Sequence, residues 1–388
     1  MHGYRAPIGF DGERFLPDGV LVLVEDGRIA GVESAGFSAP TDCPVTELPG
    51  ATLLPGLIDP HVHLCGDGGP GALDSLHELS EDDLDTVIAA SLAAQLASGV
   101  TAVRDLGDAR WAVADRHRGN PLGPTVAASG PPITTPGGHC AGMGGEATGT
   151  EGLRSAVRER VEHAVDVVKI MTSGGLMTAG TDVLACQFSL EELRLVVEEA
   201  HRAGLPVTAH AHAVLAVEQC VAAGVDSIEH CTCVTPEGIR MAPPLADAIA
   251  AAGITVCPTL ALLPGITPPP SVQAELDRTH MAWSDRYAQI AALHRAGVPL
   301  VAGVDAGVSP AKPHGIMRES VIELQAVGLL PSEALAAGTA AAARACGLGD
   351  RTGRLAVGLD ADLLAIDGDP AGDMTALRDV RLVVSRGR

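Results

Sequence analysis

The stretch LLPGLIDPHVHL, residues 53–64, decides the fold. It opens inside an apolar run, Ala51 to Ile58, that reads as one strand, and it ends in His61 and His63. Residues two apart in an extended chain point to the same side. The HxH pair therefore aims two imidazoles into one space, where two nitrogens can grip a divalent ion. Taken alone, the pattern also fits two polar residues at a strand mouth.

Outward from this stretch, short apolar runs alternate with helical patterns. Strands are expected at Thr101–Arg104, Thr125–Ala128, Val167–Met171, Pro206–Ala209, Ser227–Ile228, Ile254–Cys257 and Leu300–Val304. Helices are expected at Asp82–Ala97, Gly152–Ala164 and Glu191–Ala203, the last with Leu193, Val196, Val197 and Ala200 on one face. Strands alternating with helices imply a parallel sheet. About eight such units in roughly 250–300 residues match an α/β (β/α)8 barrel better than an open doubly wound sheet.

The chain ends read differently. Val20–Val24 and Arg28–Val32 flank Glu25-Asp26-Gly27, a hairpin with an Asp-Gly turn. Ala361–Ile366 and Val380–Val384 are further short strands. The two ends are expected to pair as a small β-sandwich domain, residues 1–56 plus 356–388, beside a barrel of residues 57–355.

Polar residues fall where these strands end. Lys169 lies inside the apolar VVKIM, and a buried lysine is costly unless paired, neutralised or modified. His210 closes VTAH, His230 closes SIEH, and Asp305 closes LVAGVD. The C-terminal ends of the strands form the face where barrel enzymes place catalytic groups. Six such residues at or near one face point to a metal site.

Composition narrows the rest. The 388 residues are 46% hydrophobic but only 2% aromatic, so the core must be aliphatic. A net charge of −22 argues against nucleic acid as a partner. Nine cysteines without framework spacing read as reduced thiols. No apolar run has the length of a membrane span, the first fifteen residues lack a signal-peptide core, and a cytoplasmic enzyme is expected.

The ordered segments PGLIDPHVHL, VVKIMTSGG, VTAHAH, SIEHC and AGVDAG resemble the amidohydrolase superfamily, and GRLAVGLDADLLAIDGDP resembles its return to the small β-domain. GGHC at 137–140 and VKIMTSGGLMT at 168–178 are most similar to the imidazolonepropionase-like branch, which includes prolidase-type dipeptidases. The resemblance implies two divalent ions, with zinc suited to the ligands. His61, His63 and Asp305 would bind one ion and His210 and His230 the other, bridged by a carboxylated Lys169. Asp305 would move the proton, and His139 would steady the carbonyl oxygen. His212, Lys312, His314 and Arg318 are candidates for contact with substrate. A homo-oligomer is common among the proteins it resembles.

The activity implied is hydrolysis of an amide or peptide bond in a small carboxylate-bearing molecule, such as a dipeptide or N-acyl amino acid. The alternative is a one-metal deaminase or cyclic-amide hydrolase on the same fold. Such deaminases lack the strand lysine and carry HxxE, whereas here Lys169 is present and His210 is followed by Ala211-His212-Ala213.

Overall fold

The computed structural model describes residues 1–178 and 180–388. The alternating middle of the chain forms an α/β fold with parallel strands. Leu57–Val62 pairs with Val100–Asp105, which pairs with Thr125–Ala128. A second parallel set runs Val168–Met171, Val207–Ala213, Ser227–Thr235 and Thr255–Cys257. Single bridges, Ile133 to Ile170, Val256 to Leu300 and Val62 to Ala306, link the segments between and beyond these sets. Among the described residues the sheets do not form one closed eight-stranded ladder, so the expected barrel appears as two parallel sheets joined by bridges.

The expected strand Leu300–Val304 accounts for part of that difference. Pro299 has no N–H to give. Val301 N donates to Val256 O, but Ala302 N turns to Ala337 O. Val304 N donates to the side-chain Oδ1 of Asp59 at 3.2 Å. Loop and side-chain acceptors thus take the donors that a ladder would use.

Ala51–Ile58 is two strands rather than one. Ala51–Pro55 pairs with Leu363–Asp367, while Leu57–Val62 enters the parallel sheet. Gly56 is the crossing point: a Cβ there would lie 2.1 Å from Thr101 Oγ1. The strands at Pro206–Ala209 and Ser227–Ile228 run longer than expected, to Ala213 and Thr235, so His210 and His230 lie within strands rather than closing them.

Strands from both chain ends make two further sheets. One orders Arg28–Glu33, Val20–Glu25, His2–Ala6 and Val45–Glu47, and the other orders Val380–Val384, Leu363–Asp367, Ala51–Pro55, Ile8–Phe10 and Phe15–Leu16. Val20, Val22, Leu53, Leu363 and Ala365 are among the residues that share one buried cluster between them. The hairpin turns at Asp26 and Gly27, φ 50° and 79°, the two left-handed residues that a tight hairpin favours.

The main core is aliphatic, as the composition requires. Leu84, Ile88 and Leu92 on the helix Glu81–Ala97 bury one face, and Leu193, Val196, Val197 and Ala200 do the same on Leu190–Arg202. Ser80 and Ser189 cap the N-termini of these two helices, each accepting a backbone N–H. Truncating one such buried Leu to Ala typically costs about 2–5 kcal/mol.

Candidate metal centre

The site forms because the register of neighbouring strands stacks polar residues on one face. Lys169 sits opposite Thr208, which sits opposite Ser227, and His210 sits opposite Glu229. Thr208, His210 and His212 share a face by alternation. His230 pairs with Ala211 and by alternation would face away. Its φ of 64° breaks the alternation, and its ring lies 4.7 Å from that of His210.

A left-handed conformation at a non-glycine residue costs about 1–3 kcal/mol and needs support. His230, Cys231 and Cys233 are all left-handed, with φ 64°, 52° and 55°. Buried Arg286 and Gln289 on the helix Trp283–Arg295 supply the support. Arg286 donates to the carbonyls of His230 and, at 2.8 Å, Pro258, while Gln289 donates to Cys231 O at 2.6 Å.

His61 and His63 are buried at the end of the first parallel strand. His61 Nδ1–H donates to Glu229 Oε2 at 2.7 Å, and His63 Nδ1–H donates to Gly107 O at 3.2 Å. These partners only accept, so each ring carries its proton on Nδ1 and presents Nε2 as a lone pair. Both Nε2 atoms face Asp305 Oδ1, at 3.3 and 3.1 Å. Three acceptors converging on one point need a cation among them. Burial pushes the His61 imidazole down to about 4, so a proton there is disfavoured near neutral pH. Burial alone would raise the Asp305 carboxyl, but His61, His63 and Lys312 outweigh it and hold it well below the usual carboxylate range. Asp305 is itself left-handed, φ 67°.

Behind His61 lies a buried charged relay. Glu229 Oε1 accepts from Arg104 at 2.8 Å and from Thr208 Oγ1 at 2.6 Å. Despite burial, the charge of Arg104 and the hydrogen bond from His61 hold the Glu229 carboxyl below its ordinary value. Arg104 also donates to Pro60 O at 2.9 Å and Ala345 O at 3.0 Å.

The second group is imidazole-rich. His210 Nε2–H donates to Gly174 O at 3.1 Å, which leaves Nδ1 as its lone pair. Thr259 Oγ1 spends its hydrogen on Pro258 O, so it accepts from His230 Nδ1–H at 2.8 Å and leaves Nε2 free. His212 Nδ1 is bonded to Thr232 Oγ1 at 2.8 Å. One ligand atom from each of His210, His212 and His230 lies within 4.8 Å of the others, as do those of His61, His63 and Asp305.

Lys169 is buried, and its Nζ has no hydrogen-bond partner among the described residues. Burial lowers its ammonium, against the opposing pull of Glu229 and Asp305. A free ammonium among these imidazoles, buried and without a partner among the described residues, is costly. The imidazoles and carboxylates present fit divalent ions.

His139 joins the cluster, its ring 4.6 Å from His210. Its Nδ1 is bonded to Thr178 Oγ1 at 2.8 Å, and its ring packs so close to Gly175 that a Cβ there would lie 2.3 Å from Nε2. His314 and Arg318 are engaged elsewhere. His314 bonds Gly66 O at 3.0 Å and Gln95 at 3.3 Å, and Arg318 donates to Gly315 O at 3.2 Å. Lys312 donates to Thr259 O and Val304 O at 2.8 and 2.7 Å, which ties the loop beneath His230 to the residue before Asp305. Sequence reasoning passed over Glu229, Arg104, Thr259, Arg286 and Asp59. The fully buried Asp59 accepts from His61 N and Val304 N, both at 3.2 Å, and so clamps the HxH strand to the Asp305 segment.

Known proteins carry the same architecture. An imidazolonepropionase of Ectopseudomonas mendocina is 29% identical over 400 residues, covering 92% of this chain and 89% of that protein. The ochratoxinase of Aspergillus niger is 29% identical over 375 residues, covering 85% of this chain and 73% of the ochratoxinase. A prolidase crystallised with N-methylphosphonate-L-proline superposes with a TM-score of 0.83 at 26% identity, covering 100% of this chain and 98% of that one. Residues 52–388 match the amidohydrolase family model. The chain belongs to the amidohydrolase family and is a hydrolase of C–N bonds.

Proposed function

We propose that the chain is a binuclear metal-dependent hydrolase that cleaves an amide or peptide bond in a small carboxylate-bearing substrate of dipeptide or N-acyl amino acid type. The observation that carries this reading is the Lys169 Nζ, buried without a partner among the described residues and opposite Thr208 on the strand that carries His210. In this scheme His61, His63 and Asp305 would hold one ion, His210 and His230 would hold the other, and a carboxylated Lys169 would serve both. Residues 1–56 and 356–388 form an accessory β-sandwich beside the catalytic unit of residues 57–355.

Two divalent ions, zinc in this proposal, would supply Lewis acidity and would make water a stronger acid near neutral pH. The protein's part is proton handling and orientation. Asp305, kept anionic by His61, His63 and Lys312, accepts a proton at its carboxylate and passes it to the leaving amine. His139, fixed at Nδ1 by Thr178, presents Nε2 to the carbonyl oxygen of the substrate. His139 is placed for a substrate-facing role by its ring, 4.6 Å from that of His210; His212, His314 and Arg318 stay candidates for contact with substrate beside it.

Metal analysis of active protein tests the scheme, with about two divalent ions per chain expected. A carbamate signal from Lys169 in 13C NMR after exchange with labelled bicarbonate is expected alongside. Activity with one ion and an unmodified Lys169 would overturn the binuclear scheme in favour of the one-metal deaminase or cyclic-amide alternative. A screen against dipeptides, N-acyl amino acids and lactams tests the substrate class.

A further inference from the structure

The chain contains two HxH pairs, His61-Val62-His63 and His210-Ala211-His212. Both lie on parallel strands or at their ends, so each pair turns its imidazoles to one side. Each is joined from a neighbouring segment by a third residue with a left-handed backbone. Asp305, φ 67°, completes the first, beside the bridge from Val62 to Ala306. His230, φ 64°, completes the second, opposite Ala211.

The rings of the second set are nearly equidistant, with centroids 4.6 Å apart for His210–His212, 4.7 Å for His210–His230 and 4.6 Å for His212–His230. All three are buried. Each is anchored at one ring nitrogen: His210 at Nε2 by Gly174 O, His212 at Nδ1 by Thr232, and His230 at Nδ1 by Thr259. Among the described residues none has a hydrogen bond recorded at its other ring nitrogen. Such an anchor fixes tautomer and ring orientation, as partners of metal-bound histidines do.

We propose that His212 is a metal ligand, so that His210, His212 and His230 would supply three imidazoles to one divalent ion, beside the group that Lys169 contributes. This rests on the binuclear reading above and adds a ligand to its second site.

The test is a Co2+ titration of chelator-stripped full-length protein, followed by visible absorption and elemental analysis, for the parent, His212→Gln and Thr232→Val. The expected result is that His212→Gln weakens one of two equivalents by about 10–100-fold or more and spares the other. Thr232→Val, which keeps the imidazole but frees Nδ1, should weaken the same equivalent by a smaller factor. Two equivalents bound by His212→Gln as by the parent, with only KM altered, would overturn the proposal and make His212 a substrate contact. If His212→Gln fails to fold, Thr232→Val decides: unchanged Co2+ affinity overturns the proposal. If the parent binds one equivalent only, the binuclear reading fails, and the proposal is judged separately. Loss of that equivalent in His212→Gln keeps it, and retention places the ion at His61, His63 and Asp305 and overturns it.

Discussion

The two histidine groups are built alike and backed differently. His61 leans on a carboxylate, Glu229, which is held in turn by Arg104 and Thr208. His139, His212 and His230 lean on hydroxyls, those of Thr178, Thr232 and Thr259, each at 2.8 Å. The backbone of the first group is also held by buried Asp59 and Asp105, which accept from His61 N and Leu64 N, with Asp108 beside them, and among the described residues no carboxylate hydrogen bonds to the imidazoles of the second. A carboxylate at Nδ1 raises the basicity of the ring and holds it more firmly than a neutral hydroxyl does. The first group is thus fitted to retain a cation, and the second to hold one more weakly, beside the substrate.

Lys169 is where the comparison can be broken most severely, because the proposed carbamate serves both groups. Lys169→Ala should lose at least about 100-fold in kcat/KM and release metal, since it removes a ligand common to both ions. Short carboxylic acids should restore part of the rate by occupying the space of the carbamate. Full activity in this variant would show that the two groups work without a bridge.

Glu229→Gln separates the groups. The shape is kept and the charge removed, which leaves Arg104 buried beside a neutral amide. Breaking a buried pair on one side costs about 3–5 kcal/mol, and loss of an outer partner weakens metal affinity by about 10–100-fold. The weakening should fall on the ion held by His61, His63 and Asp305. Equal weakening of both ions would mean that Glu229 supports the whole site, and the contrast would fail.

How much of this was written in the sequence follows from distance along the chain. Both HxH pairs were legible because their logic is local: two residues, one strand, one face. Lys169 stood out because a charge inside VVKIM violates the pattern around it. Glu229 and Arg104 were not legible, since each satisfies the other across 125 residues, and either alone resembles any charged residue near a strand end. The backbone at His230 was likewise hidden. Its left-handed turn is supported by Arg286, 56 residues further on. The missing ladder at Leu300–Val304 has the same origin, because the acceptor for Val304 N is the side chain of Asp59, 245 residues away. Local alternation predicts which face a residue takes, and long-range side-chain bonds decide where alternation stops.

Thr259→Val should have a smaller effect. It removes one neutral hydrogen bond to His230 Nδ1 and leaves a residue of the same shape at φ 51°. A bond of this kind contributes about 1 kcal/mol, so the ion near His230 should bind less than about tenfold more weakly. If Thr259→Val weakens its ion as much as Glu229→Gln weakens the other, carboxylate and hydroxyl backing are equivalent.

The smallest effect tests the carboxylate-rich side through stability rather than metal. Asp108 accepts from Val113 N and Ala114 N on one oxygen, at 2.9 and 3.0 Å, and its other oxygen has no partner among the described residues. Burial raises its carboxyl from 3.8 to about 6, against the pull of those two N–H groups. Between these values the folded chain holds a proton that the unfolded chain has lost, so this group makes stability fall as pH rises from about 4 to 6 and level off above. The charge of Asp108 in turn helps burial hold the neighbouring Asp105 carboxyl well above its ordinary value. Asp108→Asn keeps an oxygen for the two N–H groups and cannot ionise. Its melting temperature relative to the parent should therefore climb by about one degree between pH 4 and pH 7, corresponding to on the order of 1 kcal/mol, with metal content unchanged. A difference that stays flat across that range would mean that Asp108 already ionises freely in the folded chain, and that the acidic surroundings of the first group carry no cost.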